Sequence, residues 1–350
     1  VTRRVLVVRL DSAGDMLLAG PAVRALASGG DEVVVLAGPL GEEPARLLPG
    51  VAQVLTWTCP WIVADPPPLD PTSWHGVVDD VRSLAVDEAV VLTSFHQSAL
   101  PTALLLRLAG VRRVTAISED YPGSLLDVRV APPGDVPEPE RALTVVRAAG
   151  FDLPPGDDGR LAVRPDALDA AAGDDLGRYV VVHPGVSAPA RAWPASRWVE
   201  AVTALVASGR RVVVTGGPGE RELCARVAAA GATDLSGGTS LAALGAVLRD
   251  ADAVVVANTG PAHLAAAVGT PVVSLFAPVV PAARWAPYGV PHVLLGDQGA
   301  PCAGTRARTC PVPGHPCLTD VTAAHVVAAV DRLAVPVEPV AATAPRGGTA

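Results

Sequence analysis

The sequence predicts an α/β protein of two doubly wound, Rossmann-like domains facing one another across a cleft, and three observations lead to it. Short apolar runs rich in Val alternate with helix-length segments from the first residues onward. A Pro-, Gly- and Asp-rich stretch at residues 152–178 interrupts the alternation, and a second alternating series begins at Tyr179. At 350 residues, 50% of them apolar, the chain can bury two cores.

Arg4–Leu10 is a strand of the Val/Leu kind, and Asp11-Ser12-Ala13-Gly14 is its turn. Asp15–Leu26 follows as a helix stopped by Gly29-Gly30, and Glu32–Ala37 is the next strand. The same alternation predicts helices near Trp74–Leu84, Leu100–Leu108 and Glu140–Ala149, with strands at Ala89–Thr93 and Val111–Ile117. Residues 1–155 make the first domain, and 156–178 read as the linker region.

In the second domain, residues 179–333, Tyr179–His183 and Arg211–Thr215 read as strands, and Ala195–Ala207, Glu220–Ala230 and Leu241–Leu248 as helices. Its centre is residues 252–276. The apolar run Ala253–Ala257 is short enough for a buried parallel strand, and Asn258-Thr259-Gly260-Pro261 supplies the turn and the first helical position. Ala262–Val268 is then a short helix, Gly269-Thr270-Pro271 its stop, and Val272–Phe276 a second strand. Thr259 and Gly260 fall where a strand's carboxyl end meets a helix N-terminus, whose open N–H groups and positive dipole end favour a phosphate. His263, in the first turn, is expected to be neutral because the dipole disfavours imidazolium. Val321–Leu333 is an amphipathic final helix, for which packing back on the first domain is an option. From residue 334 the Pro, Ala, Gly and Thr composition reads as a disordered tail.

All 27 basic residues are arginine, a bias that looks like codon usage more than physics, so any site that needs a cation must use Arg. A net charge of −8 carries no electrostatic footprint for nucleic acid, although a local anion site is compatible with it. No apolar run reaches the roughly 18 residues of a membrane span, and the amino terminus reads without a signal peptide's apolar core. A cytoplasmic protein with at most peripheral membrane association is expected. Five cysteines in so long a chain do not make a disulfide framework.

Asp15 opens a helix directly after a strand and turn, where the dipole stabilises its carboxylate and a hydroxyl nucleophile could pass it a proton. Taken alone it reads equally well as a helix cap. The turn at residues 9–15 has one glycine where Gly-x-Gly-x-x-Gly needs three, which disfavours a dinucleotide cofactor. His183-Pro184-Gly185-Val186-Ser187 ends a strand, and there Ser187 can donate to a phosphate oxygen while Arg191 offers a planar fork for a diphosphate. After another strand, the glycines of Thr215-Gly216-Gly217-Pro218-Gly219 admit close backbone approach, with Glu220 the first choice and Glu222 the second for ribose hydroxyls. Ser12, His96 and Gln97 are acceptor-side candidates. Asp250-Ala251-Asp252 precedes its strand and reads as a turn, while Cys302, Cys310, His315 and Cys317 lack the close Cys-x-x-Cys pair of a zinc site. No metal is assigned to either.

Five segments together resemble glycosyltransferase family 9, the ADP-heptose:lipopolysaccharide heptosyltransferase family. They are Ser12-Ala13-Gly14-Asp15; His183-Pro184-Gly185 with Arg191-Ala192-Trp193-Pro194; Gly216-Gly217-Pro218; Thr259-Gly260-Pro261-Ala262-His263-Leu264; and Cys310-Pro311 with Pro316-Cys317-Leu318. The resemblance implies a GT-B fold, acceptor bound mainly by the first domain and nucleotide sugar by the second. It also implies inverting transfer without metal or other cofactor, from a nucleotide-sugar donor such as ADP-heptose to a glycan or glycosylated small molecule. By the same resemblance Asp15 is the catalytic base, and Thr259, Gly260 and His263 surround the donor's phosphates and sugar. Arg191 stands where the family usually has lysine, which keeps the charge. Asn258 stands where many members have Asp; its amide keeps hydrogen bonds to a sugar hydroxyl but adds no charge. Two rivals share the architecture: a nucleotide-sugar epimerase and a non-catalytic nucleotide-sugar-binding protein.

Overall fold

Strands buried on both faces read as unbroken apolar runs, and the centre of each half of the molecule is built from such runs. The computed structural model describes residues 3–63, 66, 68, 70–169 and 176–334. In chain order the first half contains β1 (Arg4–Arg9), α1 (Ala13–Leu18), α2 (Gly20–Ala27), β2 (Glu32–Ala37), α3 (Glu42–Leu47) and β3 (Val51–Thr56). It continues with α4 (Pro71–Ser83), β4 (Glu88–Val91), α5 (Leu100–Leu108), β5 (Arg113–Ile117), β6 (Val128–Val130) and α6 (Glu138–Ala148). The second half contains β7 (Val180–His183), α7 (Ala195–Ala207), β8 (Val212–Val214), α8 (Arg221–Ala228), β9 (Thr233–Asp234) and α9 (Leu241–Arg249). It ends with β10 (Ala253–Ala257), α10 (Gly260–Ala267), β11 (Val272–Leu275), α11 (Ala282–Trp285), β12 (His292–Leu295), α12 (Pro316–Thr319) and α13 (Ala323–Leu333).

Both sheets are parallel throughout. Their orders are β3-β2-β1-β4-β5-β6 and β12-β11-β10-β7-β8-β9, the same winding used twice. In each, the strand order reverses at one junction, β1 beside β4 and β7 beside β10. Ligands of doubly wound sheets bind at the carboxyl ends of the strands at that reversal. The loops after β1, β4, β7 and β10 are therefore where function is to be sought.

The expected Asp15–Leu26 helix is two helices, because Pro21 lacks the N–H and crowds the preceding turn, so the chain bends at Ala19 between α1 and α2. Strands β3, β6, β9 and β12 were not foreseen. All four are edge strands with broken burial, β9 being exposed at both residues, so none carries a continuous apolar run.

The stretch expected to be a linker is held tightly where it is described. Arg24 grips Asp157 with two hydrogen bonds, at 2.6 and 2.8 Å, and Arg164 N–H donates to Leu47 O. Leu161, Val163 and Leu168 join one apolar cluster that runs from Leu17 and Leu26 in the first half to Leu244 and Leu264 in the second. The second Gly-Asp-Asp and the tail from residue 335 lie outside the described residues. The final helix does not return to the first domain: α13 packs on α7 and the second sheet through Val326, Ala329 and Val330, and Arg210 pairs with Asp331 at 2.8 Å.

Candidate active site

At the carboxyl end of β1 the apolar run closes on a charged residue, Arg9, which is 3% exposed. Its guanidinium lies among three carboxylates: Nε is 2.9 Å from Asp11, Nη2 3.0 Å from Asp15 and Nη1 3.7 Å from Glu138. Nη2 also donates to Ser94 Oγ at 3.0 Å, in the loop after β4. Burial alone would weaken the cation, but the three carboxylates raise Arg9 above its ordinary range.

Asp15 is the third residue of α1, and with Ser12 it forms a capping box. Oδ2 accepts from Ser12 Oγ at 2.7 Å; Oδ1 accepts from Arg9 and, across the cleft, from Trp285 Nε1 at 3.2 Å. Burial works against the Asp15 anion, but Arg9 and the hydrogen bonds from Ser12 and Trp285 outweigh it and hold the carboxyl below its usual range. Asp11 goes the other way, since burial raises it despite Arg9, Gln97 and Ser94. The Gln97 amide is spent on Asp11 and on the Ser94 N–H, so this acceptor-side candidate shapes the loop. His96 Nε2 accepts from Arg306 Nη2 at 2.6 Å, and burial together with Arg306 pushes the imidazole down to about 4.

The N-termini of α1 and α10 meet across the cleft. A Cβ at Gly14 would lie 2.8 Å from His263 Cδ2, so glycine is what lets the helices approach. Thr259 is the cap of α10 with an extended backbone and no side-chain bond to the helix; Pro261 has no N–H and the Ala262 N–H donates to Thr259 O at 3.0 Å, so of the first three helical positions Gly260 alone offers an amide. His263 is 6% exposed, and burial pushes it down to about 4 against the pull of Asp15, so the ring is neutral as expected. Its Nδ1 is buried without a partner. Arg191, from the turn after β7, donates through Nη1 to Asn258 O at 3.0 Å, while its Nε is buried and unpartnered. Two orphaned polar groups beside the positive end of α10 and the Gly260 amide suit an anion that accepts from both.

Asn258 Nδ2 donates to Ala277 O and its Oδ1 accepts from Ala277 N, both at 3.2 Å, so the amide clamps the chain just after β11, and one N–H and one lone pair stay uncommitted. Glu220 lies between the loops after β7 and β8: Oε2 accepts from Gly217 N at 2.7 Å, the side chain is partly open, and a Cβ at Gly185 would overlap the carboxylate. Glu222, the second choice, is exposed in the first turn of α8 and takes no part in that pairing. Ser187 is exposed in the loop after β7. Among the described residues, no group of three or more His, Cys, Asp or Glu is placed to hold a metal ion, the Cys302–Cys317 region included, and no helix is long and apolar enough to cross a membrane.

The family model described as "Glycosyltransferase family 9 (heptosyltransferase)" matches residues 83–315, well over half the chain. The chain belongs to glycosyltransferase family 9. Among similar proteins, lipopolysaccharide heptosyltransferase 3 of Escherichia coli is 32% identical over 164 residues, a match that spans 44% of this chain and 46% of that protein. The chain thus matches about half the length of its curated relative. The E. coli ADP-heptose LPS heptosyltransferase II structure shares the fold, with a TM-score of 0.72 at 21% identity over 94% of this chain and 98% of that one. A less similar fold neighbour, the dodecameric glycosyltransferase TibC from E. coli H10407, is described as iron-containing; its TM-score is 0.54 at 16% identity, covering 95% of this chain and 76% of that one. Two Rossmann-like sheets facing a cleft, the GT-B arrangement, are therefore the family 9 fold in this chain. Asp15 lies outside the segment matched by the family 9 model, so its assignment rests on the hydrogen bonds above.

Arg9, Glu138 and Trp285 were not foreseen. A charged residue ending the Val/Leu run of β1 was the available signal for Arg9; Glu138 and Trp285 reach the site through tertiary packing and carry no local motif.

Proposed function

We propose that the protein is an inverting glycosyltransferase that moves heptose from ADP-heptose to a hydroxyl of a glycan or glycosylated acceptor. The observation that supports this most is the meeting of Asp15 from the first domain with the open N-terminus of α10, where His263 Nδ1 and Arg191 Nε lack partners. In this reading ADP lies on the second domain with its diphosphate at the N-terminus of α10, on the Gly260 amide and Arg191, and its ribose on Glu220. Ser187 borders that site from the loop after β7.

The acceptor hydroxyl attacks the anomeric carbon in line with the departing diphosphate. One C–O bond forms, the sugar–phosphate bond breaks, and the hydroxyl proton passes to Asp15. Arg9, Ser12 and Trp285 hold that carboxylate ionised and oriented. The growing charge on ADP meets an arginine, the Gly260 amide and the positive end of the α10 dipole, so the reading requires no divalent ion. Acceptors of the lipopolysaccharide-core kind, named for the E. coli relative, are the first class to try.

The test is ADP release from ADP-heptose, in EDTA, against a panel of acceptor glycans. Asp15→Ala is expected to cut acceptor-dependent release about 10²–10⁴-fold while ADP affinity stays within about twofold. Product formed from donor alone, with the sugar converted and none transferred, would replace this reading with the epimerase. Full turnover by Asp15→Ala would remove Asp15 as the base.

A further inference from the structure

Helix α11 is four residues long, belongs to the second domain, and lies against the first. Its last residue, Trp285, donates from Nε1 to Asp15 Oδ1 at 3.2 Å. Contacts from α11 and from Arg306 hold it there. The Phe95 ring, in the loop after β4, packs 5.6 Å from the Trp285 ring; the Arg284 guanidinium lies 4.4 Å from the Phe95 ring centre, and Arg306 is 5.8 Å from the same centre. Arg284 Nε also donates to Asp135 at 2.8 Å. Arg306 in turn donates to His96, the neighbour of Phe95. Every one of these contacts joins the two domains.

The same helix is connected to the proposed donor site. It follows β11 after a short turn that begins at Ala277, and Ala277 is the residue clamped by the Asn258 amide. Asn258 O meanwhile accepts from Arg191, the cation assigned to the diphosphate. A continuous chain of bonds thus runs from Arg191 through Asn258 and Ala277 to the segment that carries Trp285.

We infer that Trp285 is a positioning residue for the base: the second domain supplies the indole N–H that fixes Asp15 Oδ1, so Asp15 is fully oriented when the two domains are closed on each other. The inference rests on the reading of Asp15 as the base. A tryptophan here does two things that phenylalanine could not do together. Its ring packs on Phe95, and its N–H satisfies one acceptor site of a carboxylate that Arg9 and Ser12 leave incompletely bonded. Domain opening removes that donor and leaves Asp15 on first-domain partners alone.

The test reads the hydrogen bond itself. In ¹⁵N-labelled protein the six tryptophans give six indole N–H signals, and Trp285→Phe identifies the one from Trp285. Trp285→His serves the same assignment if the Phe variant does not fold. Asp15→Asn, which keeps the shape and removes the charge, is expected to shift the Trp285 signal more than any of the other five. Trp285→Phe is expected to lower kcat for ADP release from ADP-heptose about tenfold, with ADP affinity within twofold of wild type, and Trp285→His to recover part of the loss through its ring N–H. An indole signal unmoved by Asp15→Asn overturns the inference whatever the activity. So does full kcat in Trp285→Phe, or a loss that falls on ADP affinity alone, the signature of a structural role. A shifted signal in a wild-type protein that transfers no heptose would keep the Trp285–Asp15 pairing and reject the donor reading.

Discussion

Arg9 shows how one buried side chain can organise a site. Its charge is shared by Asp11, Asp15 and Glu138, and Glu138 is itself 2% exposed with burial raising its carboxyl. Removing the cation leaves Asp11 and Asp15 in low dielectric without their counter-charge and Glu138 with Arg141 alone, at 3.9 Å, so Arg9→Leu is expected to cost about 3–5 kcal/mol in chemical denaturation. A cost below about 1 kcal/mol would mean that water, and not Arg9, carries those charges. His263 makes a pH-dependent prediction. Folded it titrates at about 4, unfolded near 6.5, so between those values the unfolded chain binds a proton that the native ring refuses. Its contribution is therefore complete above pH 6.5 and drains away as pH falls towards 4, by a total on the order of 3 kcal/mol. Melting curves of wild type and His263→Asn across that window check the sign: the variant should lose less stability on acidification. Asn258 is the third residue-scale case. Asp in its place would set a carboxylate against Ala277 O in a site 5% exposed, so Asn258→Asp is expected to destabilise by about 1–3 kcal/mol near pH 7 and less at pH 4. An Asn258→Asp protein as stable as wild type at pH 7 would show that the Ala277 clamp is dispensable.

At the scale of elements, the approach of α1 to α10 matters most. Both helices begin at a strand's carboxyl end, and glycine at position 14 lets His263 lie against the first turn of α1. Gly14→Ala places a methyl 2.8 Å from the imidazole, so it should lower stability by about 1–3 kcal/mol and impair transfer, while Gly76→Ala, with open space around it, should do neither. Equal effects of the two substitutions would contradict the close packing of α1 on α10. The same scale explains what could be read from the chain. The central strands were legible because β1 and β10 are buried on both faces and appear as unbroken apolar runs. Strands β3, β6, β9 and β12 sit at sheet edges, where exposed positions break the run. Helix α11 is a single turn, below the length at which periodicity has meaning.

Across the whole molecule, the paired sheets repeat one winding, and the two strand-order reversals face each other at Asp15 and Thr259. Motifs at strand ends were enough to single out Asp15, Arg191, Thr259, Gly260 and His263 as candidates, because each lies in the segment that follows a strand's carboxyl end. Asn258 was legible as a strand-end residue, but nothing local says that its amide meets Ala277, 19 residues on. Trp285 is 270 residues from Asp15 in sequence, and such a bond is a property of domain closure that local pattern does not encode.

Nucleotide binding is where the account can be tested most directly. Calorimetric titration of the whole protein with ADP, UDP and GDP in EDTA should give metal-free binding of ADP at least tenfold tighter than of the other two, lost by about tenfold or more in Arg191→Ala. Preference for UDP or GDP, or no binding of any of the three, would contradict an ADP-heptose donor held on α10 and Arg191.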